Sequence, residues 1–264
     1  MSTALLLPVL ALIGLVIGSF LNVVIVRVPA GESVVHPGSK CPQCENPIAT
    51  RDNIPVVSWL LLRGNCRSCG ESIPAGYPLV EVANAVLWVL AGLRFGASWE
   101  LAPYAVFFSV LLALSVIDLE LYILPNKITY PSILVSLVAV VPLSYLSADN
   151  PGGAILGAVI GGVAYAGFLG VTLIAYELIV HKEGMGMGDV KLAALLGIWL
   201  GYLNPFLVLY ALIGASLIGL VVGAIIMMVR KASEPYPFGP WLAVGAVGTI
   251  LLSEQILHTL LNAA

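Results

Sequence analysis

Long apolar runs separated by short polar breaks set the pattern of this chain. A helix needs about 20 predominantly apolar residues to cross a bilayer. The first such run is Ala4–Val26, and one long polar segment, roughly Arg27–Tyr77, follows it. Further apolar runs occupy Pro78–Leu93, Leu101–Ile117, Ile128–Leu146, Ala154–Val180, Val190–Leu203, Pro205–Val229 and Pro240–Leu261. The pattern predicts about eight spans, the sixth of them short. Proline and glycine punctuate the connections, as at Asp149-Asn150-Pro151-Gly152 and Asn204-Pro205. Ala4–Val26 is too long for a signal-peptide core and lacks a basic leading region, so it reads as a retained span.

Composition agrees. The chain is 60% hydrophobic and 9% charged, with a mean hydropathy of +1.04, whereas soluble domains carry about 25% charged residues. The expected fold is an all-α polytopic membrane protein, and its standing partner is membrane lipid. No basic patch points to nucleic acid. With eight spans, Arg27, Lys40, Arg51, Arg63, Arg67, Lys127, Lys182, Lys191, Arg230 and Lys231 share one face, and only Arg94 falls on the other. Basic residues mark the cytoplasmic side. The polar loop is therefore expected in the cytoplasm and both termini outside.

All the cysteines lie in that loop, as Cys41-Pro42-Gln43-Cys44 and Cys66-Arg67-Ser68-Cys69. Two such knuckles at this spacing suit four thiolates around one tetrahedral zinc ion. Two disulfides are the alternative, disfavoured in a reducing cytoplasm. Four protein ligands leave no open position, so the metal is expected to be structural and to fold a loop with little core of its own. Between the knuckles, Asp52-Asn53-Ile54-Pro55 and Trp59 read as a turn and a packing residue, or as part of a ligand pocket.

Two acids stand at span edges. Asp118 closes the third run, and Asp189 follows Gly184-Met185-Gly186-Met187-Gly188 where the sixth begins. Two crossings separate them, so both belong to the same face. Ionisable groups at a membrane boundary are functional hypotheses by default. Two readings fit. The acids cap helices or pair with Lys127 and Lys191, or they meet as a pair in which one carboxyl takes a proton and its partner gives one. Gly186 and Gly188 would let an extended backbone lie beside Asp189. Glu177 reads as an interfacial acid, Glu81 as one facing the cysteine loop, and Glu120 as a loop acid. His36, His181 and His258 have no spacing that asks for a metal.

Taken together, these motifs resemble the bifunctional type IV prepilin peptidases over nearly the whole chain. The resemblance rests on Gly18-Ser19-Phe20-Leu21-Asn22 followed by Arg27, the paired knuckles, Asp52-Asn53-Ile54-Pro55, Leu62-Arg63-Gly64 and Tyr77-Pro78-Leu79-Val80-Glu81. Asp118 before Leu124-Pro125, Gly186-Met187-Gly188-Asp189-Val190-Lys191 and Pro237-Phe238-Gly239-Pro240 complete it. Asn126 stands where the family usually has Asp, Gly76 where it has a basic residue, and Val26 where an aromatic or His is common. The resemblance implies catalytic Asp118 and Asp189 and cleavage of prepilin or pseudopilin leaders at the cytoplasmic face of the bacterial inner membrane. It also implies methylation of the new N-terminus by S-adenosylmethionine. The expected organisation is a first transmembrane helix at 1–26, a zinc-binding loop domain at 27–77 and a transmembrane peptidase domain at 78–264. A peptidase without methyl transfer, and a transporter using the two acids as ion ligands, are the competing readings.

Overall fold

The computed structural model describes residues 3–181, 186–230 and 237–263. Lys182, Gly184, Met185 and Lys231 lie outside the described residues. The helices, in chain order, are α1 Thr3–Ala30, α2 Val57–Leu61, α3 Gly76–Phe95, α4 Leu101–Leu121, α5 Asn126–Ser147, α6 Pro151–Val180, α7 Met187–Leu203, α8 Leu207–Arg230, α9 Gly239–Leu251 and α10 Ser253–Ala263. No strand occurs among the described residues, only two isolated bridges in the cysteine loop, Lys40 with Pro47 and Asn65 with Ser72.

Among the described residues six helices, α1, α3, α4, α5, α6 and α8, are long and apolar enough to cross a membrane. The pair α9–α10 makes a seventh if its 66° bend lies within one span. The remaining expected span is α7, a helix of 17 residues, about 25 Å long at 1.5 Å per residue. Its length is explained by its surroundings. Leu192, Ala193 and the run from Leu195 to Tyr202 are all buried, and α5, α6, α8 and α9 pack around it. A helix enclosed by protein need not match the lipid thickness. At the other extreme, α6 has 30 residues, about 45 Å, and so outruns a hydrocarbon core of about 30 Å. Glu177, near its end, is exposed, as an interfacial acid should be.

The chain divides into two compact units, Met1–Ala113 and Leu114–Ala264, with the boundary inside α4. In the first, α1 packs along α3. Glycine makes that approach possible. A Cβ on Gly14 would lie 2.6 Å from the Cα of Ala85, and one on Gly18 would lie 2.7 Å from the Cα of Glu81. Asn84, fully buried, donates to the Gly14 carbonyl at 2.7 Å, so the paired helices also share a polar bond.

In the second unit α6 and α7 approach backbone to backbone at their glycines. Gly157 and Gly161 on α6 face Gly201 and Gly197 on α7, each pair contacting the other's carbonyl oxygens. Small residues four apart allow this approach, and van der Waals contact drives helix association where lipid gives no hydrophobic gain. Trp199 Nε1 on α7 donates to Ser136 Oγ on α5 at 2.9 Å. These contacts hold α7, and with it Asp189, in one register.

Candidate active site

Asp118 sits in the last turn of α4. Its carbonyl accepts the Tyr122 N–H at 2.9 Å, and Tyr122 takes φ 57°, which stops the helix. A residue in the left-handed region beyond a helix is a common terminator. Leu124-Pro125 then turns the chain, and Pro125 supplies the extended residue before α5.

Asp189 lies three residues inside α7. Gly186 is the N-cap and contributes no side chain to it. The Asp189 backbone N–H donates to the Gly186 carbonyl at 3.0 Å, and its carboxyl accepts the Gly186 N–H in return. This is the reaching-back half of a capping box. The capping expected of this acid is thus present, and it coexists with a second acid nearby.

That acid is Asp118. Both carboxyls are buried, 5% and 8% exposed. Both converge on Gly239, the first residue of α9. A Cβ placed there would lie 2.6 Å from Asp118 Oδ2 and 3.5 Å from Asp189 Oδ1. The two oxygens are therefore separated by no more than the sum of those distances. The backbone N–H of Gly239 is directed to the Asp118 carboxyl. Asp118 Oδ2 is buried without a hydrogen-bond partner among the described residues. The arrangement is thus two buried acids beside one glycine, with an acceptor oxygen left open between them.

The expected pairing of Asp189 with Lys191 gives way to another arrangement. Lys191 Nζ donates to Asn126 Oδ1 at 2.9 Å and stands 5.1 Å from the Tyr130 ring centroid. Its charge is engaged on α5. Gly188 has its open side against Leu124, whose Cβ would be 3.0 Å from an added methyl. Gly186 is exposed and meets nothing closer than 3.8 Å. Glu120 is exposed. Gly239 carried a signal in the sequence, a glycine set between Phe238 and Pro240 at the start of an apolar run. Its place beside both acids depends on packing that no local pattern reveals.

The cysteine loop forms a separate site in the first unit. The two knuckles share one hydrogen-bond pattern. Cys41 N–H donates to Asn46 O at 3.0 Å and Glu45 N–H to Cys41 O at 2.9 Å; Cys66 N–H donates to Glu71 O at 2.7 Å and Gly70 N–H to Cys66 O at 2.9 Å. The thiols are unbridged, and their four Sγ atoms lie within 4.8 Å of one another. Cys41 and Cys69 are 3.8 Å apart at sulfur. A tetrahedron of about 2.3 Å zinc–sulfur bonds has sulfur–sulfur edges of about 3.8 Å, so the donor set fits zinc. The N–H groups of Cys44 and Gln43 pull the Cys41 thiol down to about 7. Against the pull of the Glu71 N–H, desolvation and the neighbouring sulfurs push Cys69 up to about 12.

Around the knuckles the loop is tied at several points. Arg67 clamps Asp52 through two bonds of 2.8 and 2.6 Å. Trp59 Nε1 donates to Ile73 O at 3.0 Å, and its ring lies 3.0 Å from where a Gly64 Cβ would be. Glu81 on α3 accepts the Val56 N–H at 2.7 Å, so it does face the cysteine loop. Val56 has φ 61°, a costly conformation for a β-branched residue. The segment from Asp52 to Trp59 is thus both turn and packing element.

Comparison with known proteins places these features. The profile of the bacterial peptidase A24 N-terminal domain matches residues 12–95, and that of the type IV leader peptidase family matches residues 105–227. A prepilin leader peptidase/N-methyltransferase of Stutzerimonas stutzeri is 34% identical over 96% of this chain and 92% of its own length. A protein of the same name from Pseudomonas aeruginosa is 36% identical over 96% and 92%. One from Neisseria gonorrhoeae is 37% identical over 90% and 87%. No solved structure matches the chain.

Proposed function

Because this chain belongs to the type IV leader peptidase family, we propose that it cleaves prepilin or pseudopilin leaders with Asp118 and Asp189 and then methylates the new N-terminus. It is a multi-pass membrane protein, and the family places it in the inner membrane. The basic residues argue for an active site on the cytoplasmic face and for termini on the opposite side. The single observation that carries the catalytic assignment is the convergence of both buried carboxyls on Gly239.

The chemistry follows. One carboxylate takes a proton from water as the water oxygen bonds to the scissile carbonyl carbon. The other carboxyl gives its proton to the carbonyl oxygen, yielding a neutral tetrahedral diol. The first carboxyl then returns its proton to the amide nitrogen, and the second takes one from a diol hydroxyl. The C–N bond breaks, leaving a carboxylic acid and an amine, with both aspartates restored. Gly186 offers a side-chain-free edge along which an extended substrate can lie; Gly188 serves by admitting Leu124. The freed amine, once neutral, would take its methyl group from S-adenosylmethionine as co-substrate: an N–C bond forms as the S–CH3 bond breaks, S-adenosylhomocysteine leaves, and the new ammonium can shed a proton to water. Cys41, Cys44, Cys66 and Cys69 would hold zinc in a structural role, making the loop between α1 and α3 a metal-folded domain, with the expected bounds of 27–77 running into the end of α1 and the start of α3.

The test is cleavage of a prepilin by purified protein in detergent or vesicles. Asp118→Asn and Asp189→Asn should each reduce cleavage by at least about a thousandfold, because Asn keeps size and hydrogen bonding but moves no proton. Glu120→Gln should cleave within about threefold of the parent, since surface changes away from a site are usually mild. Near-normal cleavage by either Asp→Asn protein refutes the assignment. A transporter would give no cleavage in the parent; family membership already disfavours that reading.

A further inference from the structure

Gly239 is a helical residue with no need for glycine's backbone freedom. It is not among the positive-φ glycines, and Pro240 after it fixes the first turn of α9. On helix propensity alone, alanine would serve better. What excludes a side chain is the space. The methyl of an alanine would stand 2.6 Å from Asp118 Oδ2, 3.4 Å from its Cγ and 3.5 Å from Asp189 Oδ1. The nearest of these is closer than real Cβ contacts come, and the atoms it meets are carboxyl ends of side chains, which can turn aside without moving backbone but only by giving up the geometry of the pair. An independent feature marks the same spot. Asp118 Oδ2, the oxygen nearest the missing methyl, is the buried acceptor without a partner among the described residues.

We propose that Gly239 is a positioning residue of the peptidase site, whose bare first turn on α9 reserves the space between Asp118 and Asp189 for one reacting oxygen. The inference rests on the dyad reading above and adds a third wall to it. The Gly239 N–H orients the Asp118 carboxyl, and the bare Cα leaves Oδ2 open to the water or carbonyl oxygen that must touch both acids. An oxygen held by two carboxyls needs distances of about 2.5–3.0 Å to each, and a methyl group at this point blocks that approach. A methyl in this space has the two acids as its nearest neighbours, so the change is expected in rate rather than in affinity.

The experiment compares Gly239→Ala with two other glycines of α9. Gly248 has nothing within 4 Å of an added Cβ, whereas a Cβ on Gly245 would lie 2.7 Å from the Ala211 carbonyl oxygen. Full-length proteins are measured for thermal unfolding, for kcat and KM of prepilin cleavage, and for methylation of an already cleaved pilin peptide. Gly239→Ala is expected to lose at least about a hundredfold in kcat, with KM within about threefold, with parent-like unfolding and with methylation retained. Gly248→Ala should match the parent, and Gly245→Ala should unfold earlier. A Gly239→Ala protein that cleaves within about threefold of the parent overturns the inference. So does a loss carried by KM alone, a loss of both activities together, or early unfolding like that of Gly245→Ala. Inactive Asp→Asn proteins beside an active Gly239→Ala protein would remove the third wall and leave the dyad. Active Asp→Asn proteins would remove the dyad itself.

Discussion

Replacing Gly197 by Ala tests how α7 is held. An added methyl on Gly197 would press on the Gly161 carbonyl oxygen and lie 2.6 Å from the Gly161 carbonyl carbon and 2.8 Å from the Gly162 Cα. Ordinary contact begins near 3.4 Å. All three obstacles are backbone, so no rotamer can relieve them, and α6 and α7 must part by most of an ångström. Overpacking of this kind costs about 1–3 kcal/mol. Asp189 rides on the same helix eight residues earlier, about 12 Å along its axis. A displacement near 1 Å at a catalytic group costs on the order of a hundredfold in rate. Gly197→Ala should therefore lower unfolding stability by about 1–3 kcal/mol and cleavage by about ten- to a hundredfold. The matched control is Gly167→Ala on α6, which meets nothing within 4 Å and should be neutral or slightly stabilising. Thermal unfolding in detergent and prepilin cleavage read both. If Gly197→Ala melts and cleaves like the parent, or if Gly167→Ala is equally damaging, the carbonyl contacts do not set the position of α7.

Two further outcomes concern the cysteine loop. Purified protein should carry one tightly held zinc ion per chain, and Cys41→Ser should lose it while the spans remain inserted; metal analysis and protease sensitivity of residues 41–69 measure this. The Arg67 hydrogen bonds hold the Asp52 carboxyl below its usual range. A lowered folded-state value means the pairing supports the loop above the ordinary carboxylate range and is lost as pH falls through the depressed value. Arg67→Ala should return Asp52 to the ordinary range in an NMR titration, and an unchanged titration would show that Arg67 is not its cause.

The spans, the knuckles and the two acids were all legible because each is a local signal. Hydropathy finds buried helices, and Cys-x-x-Cys needs only its own spacing. What escaped depends on partners. The glycines at 157, 161, 197 and 201 sit four apart in the sequence, yet nothing there says that the two pairs face one another. Asn126 looked like the loss of an acid, whereas in the fold it receives Lys191. Gly239 belongs to the site only because α9 begins beside α4 and α7. The last span was expected as one run, Pro240–Leu261, and no local signal there announced the break at Leu252, after which α10 leaves at 66°.

The doubled knuckle has a thermodynamic corollary. Each half closes on its own backbone bonds, so the first knuckle to take the ion presents it to the second as an intramolecular ligand. The strength of that second step is an effective concentration, governed by how far the intervening segment lets the halves drift. That segment is not free: Glu81 grips it at Val56 from α3. With zinc held by the four thiols, metal affinity would be linked to a residue outside the ligand set, and the linkage would be reciprocal. Whatever loosened the grip of Glu81 would weaken the hold on the ion, and withdrawing the ion would slacken the segment on Glu81 by the same free energy.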